Sequence, residues 1–185
     1  MLRASPYDRE IAALAIPALA TLVAEPLYVL ADTAVVGRLG TTELAGLAVA
    51  SSILLLINAV FVFLAYGTTG TVARLVGAGR PRDALEHTVA SVWVAAGAGT
   101  LVAAVLFVLA PEALRLLGAE GAVAEQGLIY LRVSLPGVPF LLINLAAVGY
   151  LRGMQDTRTP LIITAVSAAA NLVIELVLIF GLGYG

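Results

Sequence analysis

The sequence predicts an all-α protein, a polytopic membrane bundle of about five transmembrane helices. Three observations carry that reading. Sixty-one per cent of the 185 residues are hydrophobic and only 12% are charged, where soluble domains run near half apolar and a quarter charged. Mean hydropathy is +1.04. The apolar residues also fall into separate blocks parted by short charged loops, and each block is long enough to cross a hydrocarbon layer of about 30 Å at about 1.5 Å per helical residue.

The blocks run over roughly 11–36, 44–67, 88–110, 124–150 and 159–181. In the first, Arg3 and Arg9 precede the apolar run, and Ala18-Leu19-Ala20 has the small residues of a signal-peptidase site. Hydrophobicity nevertheless continues unbroken to Val36, so the segment is long enough to span and stay. No run of about ten alternating residues suggests a β-barrel strand. With a net charge of −2 and no basic cluster interleaved with aromatics, a nucleic-acid partner has no electrostatic footprint. The absence of cysteine removes disulfides, zinc ribbons and thiol catalysis.

All ten basic residues are arginine, which suits a GC-rich bacterial source, and their placement orients the chain. Arg3, Arg9, Arg74, Arg80, Arg82, Arg152 and Arg158 flank the blocks on one side; Arg38 and Arg115 lie on the other, with Arg132 inside the fourth block. The excess puts the N-terminus in the cytoplasm of a multi-pass protein of the bacterial inner membrane and Gly185 outside. The ending Gly181-Leu182-Gly183-Tyr184-Gly185 reads as the beginning of a loop, so the chain is expected to be one part of a longer protein.

Acids inside a membrane cost about 2.5 to 3.5 kcal/mol each on insertion scales and are functional suspects by default. Glu25 and Asp32 stand seven residues apart in the first block, which returns both to one helix face together with Thr21 and Tyr28. Asn171 and Glu175 stack in the fifth block at i and i+4. Both helices run outward, placing Asp32 about 6 Å and Glu175 about 9 Å below their outer ends. Tyr130 shares that level, and Glu25 and Asn171 lie one to two turns deeper. Two carboxylates facing one dry chamber at one height cannot both ionise easily. Such a pair is suited to taking up a proton, or to holding a sodium ion on Asp32, Glu175 and Asn171, and release of the cation can then drive binding of a competing solute.

Other polar residues have structural readings beside functional ones. Arg132 either pairs with one of the acids or snorkels to the headgroups. Asn58 and Asn144 are interhelical hydrogen-bonding residues first and, with Tyr28 and Tyr130, candidates for lining a substrate cavity. His87 is expected in a solvated loop, and Tyr66 and Trp93 as interfacial anchors. Pro17 and Pro26 should bend the first helix, so that protonation of Asp32 selects between bends; Pro136 and Pro139 interrupt the fourth block. Gly67-Thr68-Thr69-Gly70 and Gly77-Ala78-Gly79 lack the context of a phosphate loop, and close packing and a tight turn explain them.

Several segments together resemble the multidrug and toxin extrusion (MATE) family, and its DinF-like branch in particular. They are the run from Leu30 to Gly40 around Asp32, the small-residue stretch from Gly67 to Gly79, Tyr130-Leu131-Arg132 with Pro136 and Pro139-Phe140, and the loop from Arg152 to Pro160. The resemblance implies twelve helices in two six-helix lobes. This chain would be an N-terminal lobe, residues 1–185, that lacks the sixth helix and the second lobe. It further implies a secondary active antiporter that exports organic, often cationic, compounds against protons or sodium ions, with no other cofactor. Glu175 stands where the family commonly has Asp, which alters the reach of that carboxylate. The alternatives are a lipid-intermediate flippase of the same superfamily, disfavoured because the inward stripes are acidic rather than cationic, and a non-transporting truncated membrane protein. An intramembrane enzyme would need a nucleophile and base or a metal cluster, for which one histidine and no cysteine offer little.

Overall fold

The computed structural model describes residues 40–177 without interruption, apart from the side chains of Glu175 and Leu176, together with short pieces between Ile11 and Gly37. The chain divides into two compact units, one joining residues 1–35 to residues 155–185 and the other comprising residues 36–154.

In the second unit, α1 (Thr41–Phe61) and α2 (Phe63–Gly77) follow one another through Val62, whose backbone stays in the right-handed helical region. They form one apolar rod of 37 residues. Next come α3 (Pro81–Leu116) and α4 (Gly121–Ser134), then a 3₁₀ turn at Leu135–Gly137 and α5 (Val138–Gly153). The first unit contributes α6 (Arg158–Leu176). Three rods among the described residues, 41–77, 81–116 and 121–153, are long and apolar enough to cross a membrane. The second, third and fourth expected spans are therefore present as helices but are drawn too short in the sequence reading, the fifth begins where expected, and the first lies mostly outside the described residues. α3 has 36 residues and reaches about 54 Å, well beyond a hydrocarbon layer of about 30 Å. Its polar ends continue the helix into the headgroup region, and hydropathy registers only the apolar middle. His87 accordingly sits on α3 rather than in a loop, and it is exposed.

Helix ends are closed by their own backbones, as they must be where water is scarce. After α2, Gly79 adopts φ +72°; its N–H donates to the Val76 carbonyl and that of Arg80 to Leu75, each at 2.9 Å. After α3, Gly118 repeats the motif at φ +81°, donating to Arg115 while Ala119 donates to Leu114. Pro81 opens α3 at a position that needs no donor. Pro136 lies in the 3₁₀ turn and Pro139 in the first turn of α5, so the expected interruption of the fourth block is a brief tightening of a helix that continues. α5 ends differently: Gln155 takes the left-handed conformation at φ 62°, a state that costs a residue with a side chain roughly 1–2 kcal/mol.

Asp156 then starts α6. Its Oδ1 accepts the N–H groups of Arg158 at 3.1 Å and Thr159 at 2.9 Å, and its Oδ2 accepts the Thr159 hydroxyl at 2.5 Å. The Thr159 hydroxyl first, then the Thr159 and Arg158 N–H groups and the Arg158 charge, hold the carboxyl below its usual range.

Inside lipid, burial of apolar surface gives helices little reason to associate, so close packing at small residues takes over. A Cβ built on Gly46 of α1 would stand 2.8 Å from Gln126 Cβ and the Gly127 nitrogen of α4. One on Gly99 of α3 would stand 2.5 Å from Pro139 Cα at the start of α5. Gly149 and Gly153, one turn apart on α5, meet α2: their Cβ atoms would fall 2.6 Å from the Ala65 carbonyl oxygen and 2.7 Å from Val72 Cβ. The Thr69 hydroxyl lies 2.8 Å from the Ala65 carbonyl oxygen and 3.1 Å from that of Gly149, sharing its hydrogen between helices. Around these crossings Leu114, Leu131, Leu135, Val138 and Leu142 fill the core with Ala50, Ala95, Ala110 and Ala146. The close packing expected of Gly67 and Gly70 is absent; a Cβ at either meets nothing within 4 Å. Their neighbours Thr68 and Thr69 face α5 instead, and the glycines that permit the approach are on the partner helix.

Two outcomes test these assignments. Gly149→Val should destabilise the bundle by about 1–3 kcal/mol, whereas Gly67→Ala should leave stability unchanged or raise it by up to about 1 kcal/mol; unfolding in mixed micelles followed by circular dichroism distinguishes them, and equal losses would refute the packing account. Asp156→Ala should speed hydrogen exchange at the first turn of α6. Because the folded-state carboxyl is held low, its contribution is complete above the ordinary carboxylate range and is lost as pH falls through the lowered value, so the difference from the unaltered chain should persist through mildly acidic solution and close only in strong acid.

Candidate functional site

α6 is continuous from Arg158 to Leu176, so Asn171 and Glu175 occupy one face a turn apart, as their spacing predicts. The Asn171 side chain is exposed there. Glu25, Tyr28, Asp32 and Pro17 lie outside the described residues, as does the Glu175 side chain; Pro26 is helical and exposed. The segments that carry Glu25, Asp32, Asn171 and Glu175, far apart in sequence, belong to one compact unit.

The remaining cavity candidates are on the other unit. Asn58 is half-buried on α1 beside the core residue Ile57, Asn144 is exposed on α5, and Tyr130 on α4 is 38% exposed. Among the described residues no three His, Asp or Glu side chains gather to hold a metal ion, and the sodium ligands expected on Asp32 and Glu175 fall outside that set.

Arg132 takes neither a carboxylate among the described residues nor a fully buried position. Its guanidinium carbon lies 5.3 Å from the centroid of the Phe107 ring on α3, and the side chain is exposed. Helical side chains lean towards their own N-terminus, so the charge is carried towards the α3–α4 turn. The described ion pairs are all local and exposed: Arg80 with Asp83, Arg82 with Glu86 at 3.5 Å, and Arg115 with Glu112 at 3.2 Å.

Sequence reasoning missed a cavity of about 560 Å³ at the α3–α4 turn, lined by Pro111, Arg115, Glu120, Gly121, Glu125 and Leu128 among others. The signal available was the pair of glycines, Gly118 and Gly121, bracketing Ala119 and Glu120. Both glycines adopt positive φ, +81° and +53°, and the resulting turn connects α3 to α4 in four residues, 117–120.

Comparison with known proteins agrees with this architecture. The chain is 33% identical over 176 residues to DNA damage-inducible protein F of Escherichia coli, a match covering 95% of the chain and 38% of that protein. It is 29% identical over 179 residues to the probable multidrug resistance protein NorM of Thermotoga maritima, covering 94% and 37% respectively. A solved MOP superfamily transporter from Pyrococcus furiosus superposes with a TM-score of 0.87 at 28% identity, covering 95% of this chain and 39% of that one. The chain thus spans well under half the length of these relatives. Residues 17–177 match MatE, a stretch that takes in α1 to α6, and the chain belongs to the MatE family.

Proposed function

We propose that this chain carries the cation-coupling carboxylates of a secondary active antiporter, which exports organic, often cationic, compounds in exchange for protons or sodium ions. The observation that carries the proposal is the grouping of residues 1–35 with residues 155–185 in a chain of this family. It unites the segments bearing Glu25 and Asp32 with the helix bearing Asn171 and Glu175. The multidrug-resistance name of the Thermotoga relative supports drug-like substrates.

In this reading Asp32 and Glu175 share a poorly hydrated chamber, where two ionised carboxylates repel and one cation relieves the repulsion. A proton does so directly; a sodium ion would use both acids and the Asn171 amide oxygen. A cationic substrate competes for the same charge, so uptake of the coupling ion releases it. Glu25 offers a deeper station for the ion. Tyr28, Tyr130, Asn58 and Asn144 line the substrate path, and Pro17 and Pro26 let the first helix bend as Asp32 changes its proton. The chain would form part of one lobe and act with a second lobe of the longer protein, in a bacterial inner membrane with the N-terminus cytoplasmic, as the arginine bias supports.

Transport by the full-length protein in proteoliposomes, under imposed proton or sodium gradients, tests the assignment. Asp32→Asn and Glu175→Gln should each reduce coupled efflux at least about tenfold, the scale of one lost interaction of about 1.4 kcal/mol, and Pro17→Ala should uncouple it. Normal coupled efflux by both carboxylate variants would sink the site; normal coupling by Pro17→Ala would remove the bending step alone.

A further inference from the structure

The α3–α4 surface bears charges that the transport scheme leaves unused. Glu125 and Arg132 are seven residues apart on α4, hence on one face, and both are exposed. Opposite them on α3 stand Phe107 and Pro111, one turn apart. Arg132 lies over the Phe107 ring; one turn nearer the α3–α4 turn, Pro111 and Leu128 belong to the cavity wall along with Glu120 and Glu125. The cavity and the Arg132–Phe107 pair therefore lie one turn apart on the same α3–α4 surface, a cleft with Arg132 at its deeper end and with Glu120, Glu125 and the Glu112-paired Arg115 nearer the turn.

Four features define what fits this cleft. Arg132 enters no described ion pair, and an arginine held on a ring face keeps its hydrogen-bond donors free for an anion. Glu120 and Glu125 enter no described ion pair either, whereas Arg115 is already held by Glu112. Pro111 has no N–H, so the Phe107 carbonyl lacks its regular intrahelical donor and can accept from a ligand. Depth supplies the fourth. If α3 is centred in the bilayer, about 12 Å of it protrudes at each end, and Phe107, nine residues before Leu116, lies roughly 13 Å from that end, at the boundary between hydrocarbon and headgroups. Deeper along the same surface, Pro136 and Phe140 are exposed and apolar.

An occupant with an anion at Arg132, a hydrogen-bonding cation one to two turns further out and apolar chains running inward is a phospholipid. We propose that the α3–α4 cleft is a binding site for a phospholipid with a primary-ammonium headgroup, its phosphate on Arg132 and its ammonium on Glu125 and the Phe107 carbonyl. A quaternary ammonium cannot donate to those acceptors, and an anionic headgroup would meet Glu120 and Glu125 unfavourably. The site thus distinguishes phosphatidylethanolamine from both phosphatidylcholine and phosphatidylglycerol.

Trp93 is the chain's one tryptophan, which allows a direct test. Phe107→Trp in a Trp93→Phe background places a single indole beside Arg132 and preserves the cation–π partner. In phosphatidylcholine bilayers, acyl-brominated phosphatidylethanolamine should quench that indole with an apparent affinity at least about twice that of brominated phosphatidylcholine or phosphatidylglycerol, a gap of roughly 0.4 kcal/mol. Arg132→Gln and Glu125→Gln should each abolish the preference, and Arg132→Lys should keep most of it. Native mass spectrometry of the unsubstituted chain in the same lipid mixture should show the same order of retained lipids, independently of the tryptophan exchange. Equal quenching by the three headgroups, stronger quenching by phosphatidylglycerol, or a preference that survives both Gln substitutions would overturn the proposal. None of these readouts depends on transport.

Discussion

Helices that share a lipid solvent gain little by hiding apolar side chains from it, so what holds α1 to α5 together is how closely their backbones can approach. Each principal crossing described above is built on a residue without a side chain: Gly46 against α4, Gly99 against α5, and Gly149 with Gly153 against α2. The Thr69 hydroxyl, shared between carbonyl oxygens of α2 and α5, is available as glue only because those helices are already in near contact. The leucines and alanines of the core fill what the crossings leave open.

The same scarcity of water governs the connections. A helix end near lipid must satisfy its own carbonyls, and Gly79 and Gly118 do so within two residues of the last helical residue. That economy keeps the α3–α4 turn short, holds Pro111 on α3 opposite Leu128 on α4, and so creates the walls of the cleft. At the end of α5 the left-handed position is occupied by Gln155, and Asp156 immediately opens the next helix. A strained residue followed at once by a cap fixes where α5 stops and α6 starts.

Charge is distributed in keeping with this framework. The unit of residues 36–154 holds its described ion pairs near the ends of α3, where water and headgroups screen them, and shields Arg132 with an aromatic ring instead of a carboxylate. The acids of Asp32 and Glu175, by contrast, belong to the unit of residues 1–35 and 155–185. Packing is thus described where small residues are dense, and the proposed coupling chemistry resides on segments of the other unit.

The sequence by itself determined the class of the protein and the family, because hydropathy measures the solvent directly and the runs around Asp32 and from Arg152 to Pro160 are distinctive in order and spacing. It also put Asn171 and Glu175 on one face, since helical periodicity is a local property. It erred on helix ends, placing His87 in a loop, because polar residues outside the hydrocarbon continue a helix without any hydropathy signal. It credited Gly67 and Gly70 with contacts that Gly149 and Gly153 make. Only the tertiary structure decided that partner helix, the Arg132–Phe107 pairing and the cleft at the α3–α4 turn, for a physical reason: which face of a helix meets another depends on the approach of residues distant in the chain, and no local pattern encodes that distance.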